Sequence, residues 1–249
     1  MIKEYFGAIN NKLEIVLDEE FDNLSNGAEA IAKAIQNGGI LYTFGCGHSH
    51  IFGEELFFRA GGLAAIYPIF HEPLMLHEGP VRSSQLEREN NYAQNFIEKY
   101  EITDKDVVLV ISTSGINPVP VDVANYAKSK GASVITITSK EYSSSQSSRH
   151  NEGLKLFEVG DIVIDNKVPK GDAAMNHEEL SVSFGPLSSV IGITIIQSMI
   201  AEATKIMIEN DYEPPVFLSG NIAGSDDYNN QLVEKYSVRI PLLKQGLYI

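Results

Sequence analysis

Apolar residues near the start of the chain recur every three to four positions, at 2, 5, 6, 9, 13, 16, 17 and 24. That spacing predicts an amphipathic helix. A second helical segment is expected over Asn26 to Asn37, with Asn26 as its cap, Glu29 in its first turn and Gly38-Gly39 as its stop. Then the period changes. Five short apolar runs follow: ILYTF (40–44), LAAIYPIF (63–70), VVLVIS (107–112), SVITITS (133–139) and DIVIDN (161–166). They are continuous rather than alternating, as strands covered on both faces are. Helix-compatible stretches at Phe52–Arg59, Leu86–Lys99 and Val119–Lys130 separate most of them. This alternation predicts an α/β fold, a parallel sheet with helices on both faces. No linker divides the chain, so one domain is expected: a helical extension over 1–37, a core over 38–210 and a C-terminal extension over 211–249. The Ser-rich stretch 143–148 reads as a loop or short helix within it.

Composition narrows the function classes. The chain of 249 residues carries 19 Lys+Arg against 33 Asp+Glu, a net charge of −14. Such a surface repels phosphate backbones and anionic lipid, so neither nucleic acid nor a membrane is an expected partner. The lone Cys46 excludes an intrachain disulfide framework. No export signal is visible in MIKEYFGAINNKLEIVLDEE, and the apolar stretch 188–208 is interrupted by Thr194, Gln197, Ser198, Glu202 and Lys205. It reads as a buried helix, and the expected location is cytoplasmic.

In an open parallel sheet, ligands bind beyond the carboxyl ends of the strands, where connections diverge to opposite faces. Two strand ends here carry unusual loops. ILYTF runs into Gly45-Cys46-Gly47-His48-Ser49-His50, and VVLVI runs into Ser112-Thr113-Ser114-Gly115-Ile116-Asn117-Pro118, each followed by a helix. Small residues let backbone approach a ligand, hydroxyls donate hydrogen bonds, and a helix N-terminus supplies unpaired N–H groups. Either loop alone also suits a simple turn with an N-cap. Two at successive strand ends point to an oxyanion site that needs no lysine or arginine. Competing motifs fail: the third glycine of a dinucleotide fingerprint, the Gly-Lys of a P-loop, the second histidine of a zincin and a Gly-x-Ser-x-Gly elbow are all missing.

The segments GCGHSH…GEELFFRAGG, DVVLVISTSGINPVPVDVANYAKSKGASVITITS and DIVIDNKVPKGDA resemble those of the SIS (sugar isomerase) domain family over roughly residues 30–210. The remainder, including PPVFLSGNIAGSDDYNNQLVEKYSVRI, is similar to a little-characterised bacterial branch distantly related to phosphoheptose isomerases. The resemblance implies an αβα sandwich around a five-stranded parallel sheet of flavodoxin-like order, and a phosphorylated sugar as ligand. By position, Ser112, Thr113 and Ser114, with Asn117 closing the loop, would hold the phosphate. Ser49 and the Gly45–Gly47 loop would hold the sugar. It also implies aldose–ketose isomerisation or a related elimination, with a non-catalytic phosphosugar sensor acting through a protein partner as the alternative.

Isomerisation requires a base for the C2 proton and a group that moves the hydroxyl proton. Glu55 or Glu54, one turn past the first loop, is the candidate base, with His50 or His177 assisting; equally, the glutamates suit a solvated first turn. Phosphoheptose isomerases use His and Glu with a metal in this region, but their spacing differs. No cofactor is required here; zinc on His48, His50, His71 or His77 remains an alternative. Cys46 reads as a small residue that fits. The nearly all-apolar helix from Gly185-Pro186 and the amphipathic N-terminal helix make a homodimer or higher homo-oligomer the expected assembly, unless both only cover the sheet's two faces.

Overall fold

The computed structural model describes residues 1–245. The N-terminal region is one helix, α1 (Ile2–Gln36), rather than two segments. Asn26 lies inside it and caps nothing, because the following turns pack too well for the chain to break there. Gly27 is part of that packing: a Cβ at this position would lie 2.7 Å from Sδ of Met199. The expected stop is present, with Gly38 at φ +78° and its N–H bonded to the Ile35 carbonyl at 3.1 Å.

The five apolar runs form β1 (Leu41–Gly45), β2 (Ile66–Pro68), β3 (Val107–Ile111), β4 (Ser133–Thr138) and β5 (Ile162–Asp165). All pair in parallel, in the order β2-β1-β3-β4-β5. Every residue of β1 and β3 is buried, which is why their sequences do not alternate. The connecting helices are α2 (Ile51–Leu56), α3 (Pro80–Leu86), α4 (Pro118–Ser129), α5 (Lys140–Ser144) and α6 (Leu156–Val159), followed by α7 (Ser188–Glu209) and α8 (Ser225–Tyr236). α1, α2 and α7 cover one face of the sheet, α4 and α6 the other. α7 has the length and composition of a membrane span, but its apolar side packs against α1.

Two regions depart from expectation. The stretch Leu86–Lys99 is not a helix: α3 ends at Leu86, and isolated 3-10 turns follow at Tyr92–Asn95 and Ile97–Lys99. Asn91 breaks it, sitting at φ +63° while its N–H donates to Asp122 at 3.1 Å. A hairpin of β6 (Met175–His177) and β7 (Leu180–Phe184) also stands outside the sheet. Its Leu180-Ser181-Val182-Ser183-Phe184 alternation is a strand signal that the continuous-run criterion passes over.

The C-terminal extension is tied to the amino end of the sheet. Asp106, whose side chain is wholly buried, accepts from the N–H of Ile40 (2.9 Å) and from Nη2 of Arg239 (2.9 Å). It also accepts from the N–H and hydroxyl of Thr103 (2.7 and 2.8 Å). Arg239→Ala is expected to cost about 2 kcal/mol, since a buried carboxylate keeps its neutral donors but loses its charged one. A urea midpoint unchanged from wild type would refute that.

Candidate functional site

The register places the two loops side by side: Gly45, last in β1, pairs with Ile111, last in β3. The connection after β1 leaves toward one face of the sheet and that after β3 toward the other. Between the loops lies a cleft of about 230 Å³ lined by Cys46, His48, Ser49, Glu87, Ser112, Thr113, Ser114, Asn117, Tyr142, Gly171, Asp172 and Ser188. No lysine or arginine is among these lining residues.

The 112–117 loop is rigid because its carbonyls are committed elsewhere. Thr113 O accepts from the Ser139 N–H (3.0 Å) and the Thr138 hydroxyl (3.2 Å). Gly115 O accepts from Leu156 N–H (2.8 Å) and Ile116 O from Arg149 N–H (2.9 Å). With the carbonyls turned away, the N–H groups and hydroxyls of Thr113 and Ser114 have no hydrogen-bond partner among the described residues. They sit just ahead of the N-terminus of α4, a ready arrangement for an oxyanion. Gly115, at φ +60°, makes the turn; a Cβ there would lie 2.6 Å from Oγ1 of Thr138.

The first loop turns through a 3-10 segment, Gly47–His50, closed by Ser49 N–H to Cys46 O at 3.0 Å. Gly45 and Gly47 shape this loop from behind rather than lining the cleft. Asp172, from the segment after β5, forms the far wall and caps α7. Its Oδ1 accepts from the N–H groups of Leu187 and Ser188 (2.9 Å each), and its Oδ2 from the Ser188 hydroxyl (2.5 Å).

Glu87, Tyr142 and Asp172 did not stand out in the sequence. Glu87 matters most, because it is a carboxyl lining the cleft that is not committed, as Asp172 is, to capping α7. It follows the last residue of α3, accepts a short hydrogen bond from Nδ2 of Asn117, and is pushed above the ordinary glutamate range by burial. Arg88 and Arg149 pull the other way. Cys46 is buried beside it, and burial with the Glu87 charge raises the thiol well above its usual value. A thiolate nucleophile is therefore disfavoured, in keeping with Cys46 as a filler.

The residues proposed from sequence as acid, base or ligand lie elsewhere, His48 excepted. Glu54 points to Nε2 of His50 (3.2 Å) and lines a different, larger cavity of about 970 Å³ beside β2, with His71 and His77. Glu55 accepts from Nε2 of Gln197 (3.1 Å) and pairs with Arg59. The reason is that the 3-10 turn uses up 47–50, so the six-residue α2 begins rotated with its glutamates off the cleft. His50 bonds through Nδ1 to Gly47 O. His177 is exposed on the β6–β7 hairpin, accepting from Glu179 N–H at 3.3 Å. His71 stacks on Phe96, with 4.5 Å between ring centroids, and meets the Tyr92 hydroxyl at 3.0 Å. Burial, Lys99 and Arg82 lower its pKa. His50 and His77 are 6.3 Å apart by ring centroids, and among the described residues no three His, Cys, Asp or Glu side chains converge as a metal-ligand set. The residues present do not fit a bound zinc.

Residues 4–139 match a family model described as SIS domain. The chain is 57% identical over 246 residues to a UPF0309 protein of Geobacillus thermodenitrificans (99% of each chain covered). To a UPF0309 protein of Listeria innocua it is 51% identical over 247 residues (99% of this chain, 100% of the relative). Among solved structures, phosphoheptose isomerase GmhA from Neisseria gonorrhoeae superposes with a TM-score of 0.54 at 14% identity, covering 82% of this chain and 96% of that one. The Vibrio vulnificus NanR protein complexed with ManNAc-6P gives 0.50 at 15%, covering 97% and 69%. At these identities the two structures speak to the fold alone.

Proposed function

The chain belongs to the SIS-domain family, and on that premise we propose that it binds a phosphorylated sugar in the cleft between its two loops and isomerises it, aldose to ketose. The observation that carries the reading is the cluster of N–H and hydroxyl groups at Thr113 and Ser114, ahead of α4, that have no partner among the described residues and line one cleft with His48 and Ser49 of the first loop. The phosphate sits on Ser112–Ser114, its charge met by N–H dipoles and hydroxyls rather than by cations. The sugar lies across Ser49 toward Glu87.

Glu87 takes the place that sequence reasoning had offered to Glu54 or Glu55. As base it removes the C2 proton, and the electron pair moves into a C1–C2 double bond as the carbonyl oxygen gains a proton. The enediol then loses the O2 proton to form the ketone while Glu87 returns its proton to C1. His48, which also lines the cleft, carries the proton between the two oxygens. A carboxyl raised by burial is a stronger base than an ordinary surface glutamate, as proton abstraction requires. No step is routed through a metal. If the reactive C3 position bears a leaving group, the same abstraction gives elimination. The exposed Ile2, Phe6, Leu17 and Phe21 of α1, with Leu180 and Val182 on the hairpin, are the surface through which we take a second copy to bind.

The test is a thermal-shift panel of hexose, hexosamine, pentose and heptose phosphates against their unphosphorylated forms, followed by turnover assays of whatever binds. A ligand at 100 times its Kd contributes about 2.7 kcal/mol, roughly 5–11 °C for a domain of this size. No shift with any phosphorylated sugar overturns the reading. Binding without turnover makes the protein a sensor.

Glu87→Gln is expected to lower turnover about 100-fold or more while affinity stays within a few-fold. The same variant tests the pKa of Glu87 through stability. A carboxyl whose folded pKa is raised stabilises the fold fully below its unfolded value, and that contribution is lost as pH rises through the folded value. Glutamine mimics the protonated form and escapes the loss. The variant is therefore expected to melt about 2 °C or more above wild type at pH 8, the gap closing below pH ~4. A gap that stays constant with pH contradicts the raised pKa.

A further inference from the structure

Glu87 is held by a short chain of polar groups that ends on an exposed arginine. Nη1 of Arg149 donates to Oδ1 of Asn117 at 2.8 Å, and Nδ2 of Asn117 donates to Oε1 of Glu87. Asn117 is only 5% exposed and belongs at once to the cleft wall and to the start of α4. The backbone of Arg149 is fixed on both sides, its N–H to Ile116 O at 2.9 Å and its carbonyl accepting from Asn90 Nδ2 at 3.3 Å. The side chain therefore starts from a set position against the phosphate loop.

The chemistry of the three groups determines the direction of the chain. A guanidinium has donors only, so the Asn117 atom it meets must be the amide oxygen. The amide nitrogen then faces Glu87, and since an NH₂ group also only donates, Oε1 of Glu87 must accept. When Glu87 is protonated, its proton is confined to Oε2. Resting on the functional reading above, we infer that Arg149 is a positioning residue: through Asn117 it fixes which oxygen of Glu87 exchanges a proton with the bound sugar and favours the ionised form that acts as base. Arg149 does not line the cleft and touches no substrate.

The groups around Glu87 that bear on its charge are Arg88 beside it in sequence, Arg149 across the Asn117 bridge, and the neutral Cys46 thiol against it. His48, Tyr142 and Asp172 share the cleft. Of the two cations, only Arg149 is linked to the carboxyl through a hydrogen-bonded side chain, so its removal changes both orientation and charge.

The experiment compares wild type, Arg149→Gln and Arg149→Lys, each with and without Glu87→Gln, in two readouts. The first needs no substrate: the pH above which the Tm gap between each background and its Glu87→Gln partner stops widening reports the titration of Glu87 in the folded protein. Arg149→Gln is expected to move that levelling-off point up by roughly half a unit or more, and Arg149→Lys, which keeps a donor and a charge, to restore most of the shift. The second is the acid limb of kcat/KM for a phosphosugar identified by the binding panel, expected to move in the same direction with KM little changed. An unmoved levelling-off point in Arg149→Gln overturns the inference, even if the protein turns over phosphosugars. A panel with no ligand overturns the functional reading, while the substrate-free titration still decides whether Arg149 governs Glu87.

Discussion

Replacing Ser112 and Ser114 together by alanine is expected to lower affinity for a phosphorylated sugar by a factor of about 10²–10⁴, because each hydroxyl bonded to a charged group contributes about 1.5–3 kcal/mol. The loss falls on the phosphate and not on the sugar. Weak binding of the unphosphorylated sugar, measured by calorimetry, should therefore be nearly the same in the variant and in wild type. The fold should survive, since Ser114 bonds to no protein group among the described residues. Ser112 contributes only one long internal contact, its Oγ accepting from the Gly115 N–H at 3.3 Å. The backbone of the loop stays in place through its bonds to Ser139, Leu156 and Arg149. A double variant that binds the phosphosugar as tightly as wild type would remove the phosphate from this loop.

Gly45→Ala should be the most damaging change in the first loop, and its cause is space rather than backbone conformation. A Cβ on Gly45 would lie 2.4 Å from the carbonyl oxygen of Ser49 and 2.6 Å from both its carbonyl carbon and its Cβ. Gly45 cannot yield, because it is the last residue of β1 and is held in register with Ile111. The 3-10 turn must move instead, taking Ser49 away from the cleft. We expect a cost of about 3 kcal/mol or more in urea unfolding, together with loss of ligand binding. Gly47→Ala is the control: φ is +56° there, but the nearest atom is the Leu76 Cδ2 at 3.9 Å, so only left-handed strain of about 1–2 kcal/mol is expected. Equal costs for the two variants would show that close packing is not what Gly45 provides.

The two loops were legible in the sequence because each is a continuous segment, running from a fully apolar strand through small and hydroxyl residues into a helix. Their meeting was legible too, since a parallel sheet gathers carboxyl ends along one edge. Glu87 was not. It lies at the end of a seven-residue helix, in a stretch whose composition suits a longer one, and nothing local marks the break at Asn91 or the turn that brings the carboxyl to Asn117. Asp172 was hidden for a related reason: it caps a helix that begins sixteen residues later, at Ser188, where local patterns do not reach. Glu54 and Glu55 turn away from the cleft because each helical residue rotates the side-chain direction by about 100°, so a four-residue 3-10 turn before α2 re-aims both.

The amino-acid sequence by itself determined the class of fold, the five core strands, the two small-residue loops at adjacent strand ends and the acidic character that sets nucleic acid aside as an expected partner. These follow from periodicity and composition, which depend on neighbours along the chain. Tertiary structure alone decided which carboxyl faces the cleft, which histidines stand apart from it and which arginine reaches that carboxyl through Asn117. Those outcomes depend on where helices begin and how segments 30 or more residues apart close on one another, such as Glu87 with Asn117 and Asn117 with Arg149. A hydrogen bond across such a distance has no signature in the local order of residues, because it forms only after the hydrophobic core has set the backbones in place.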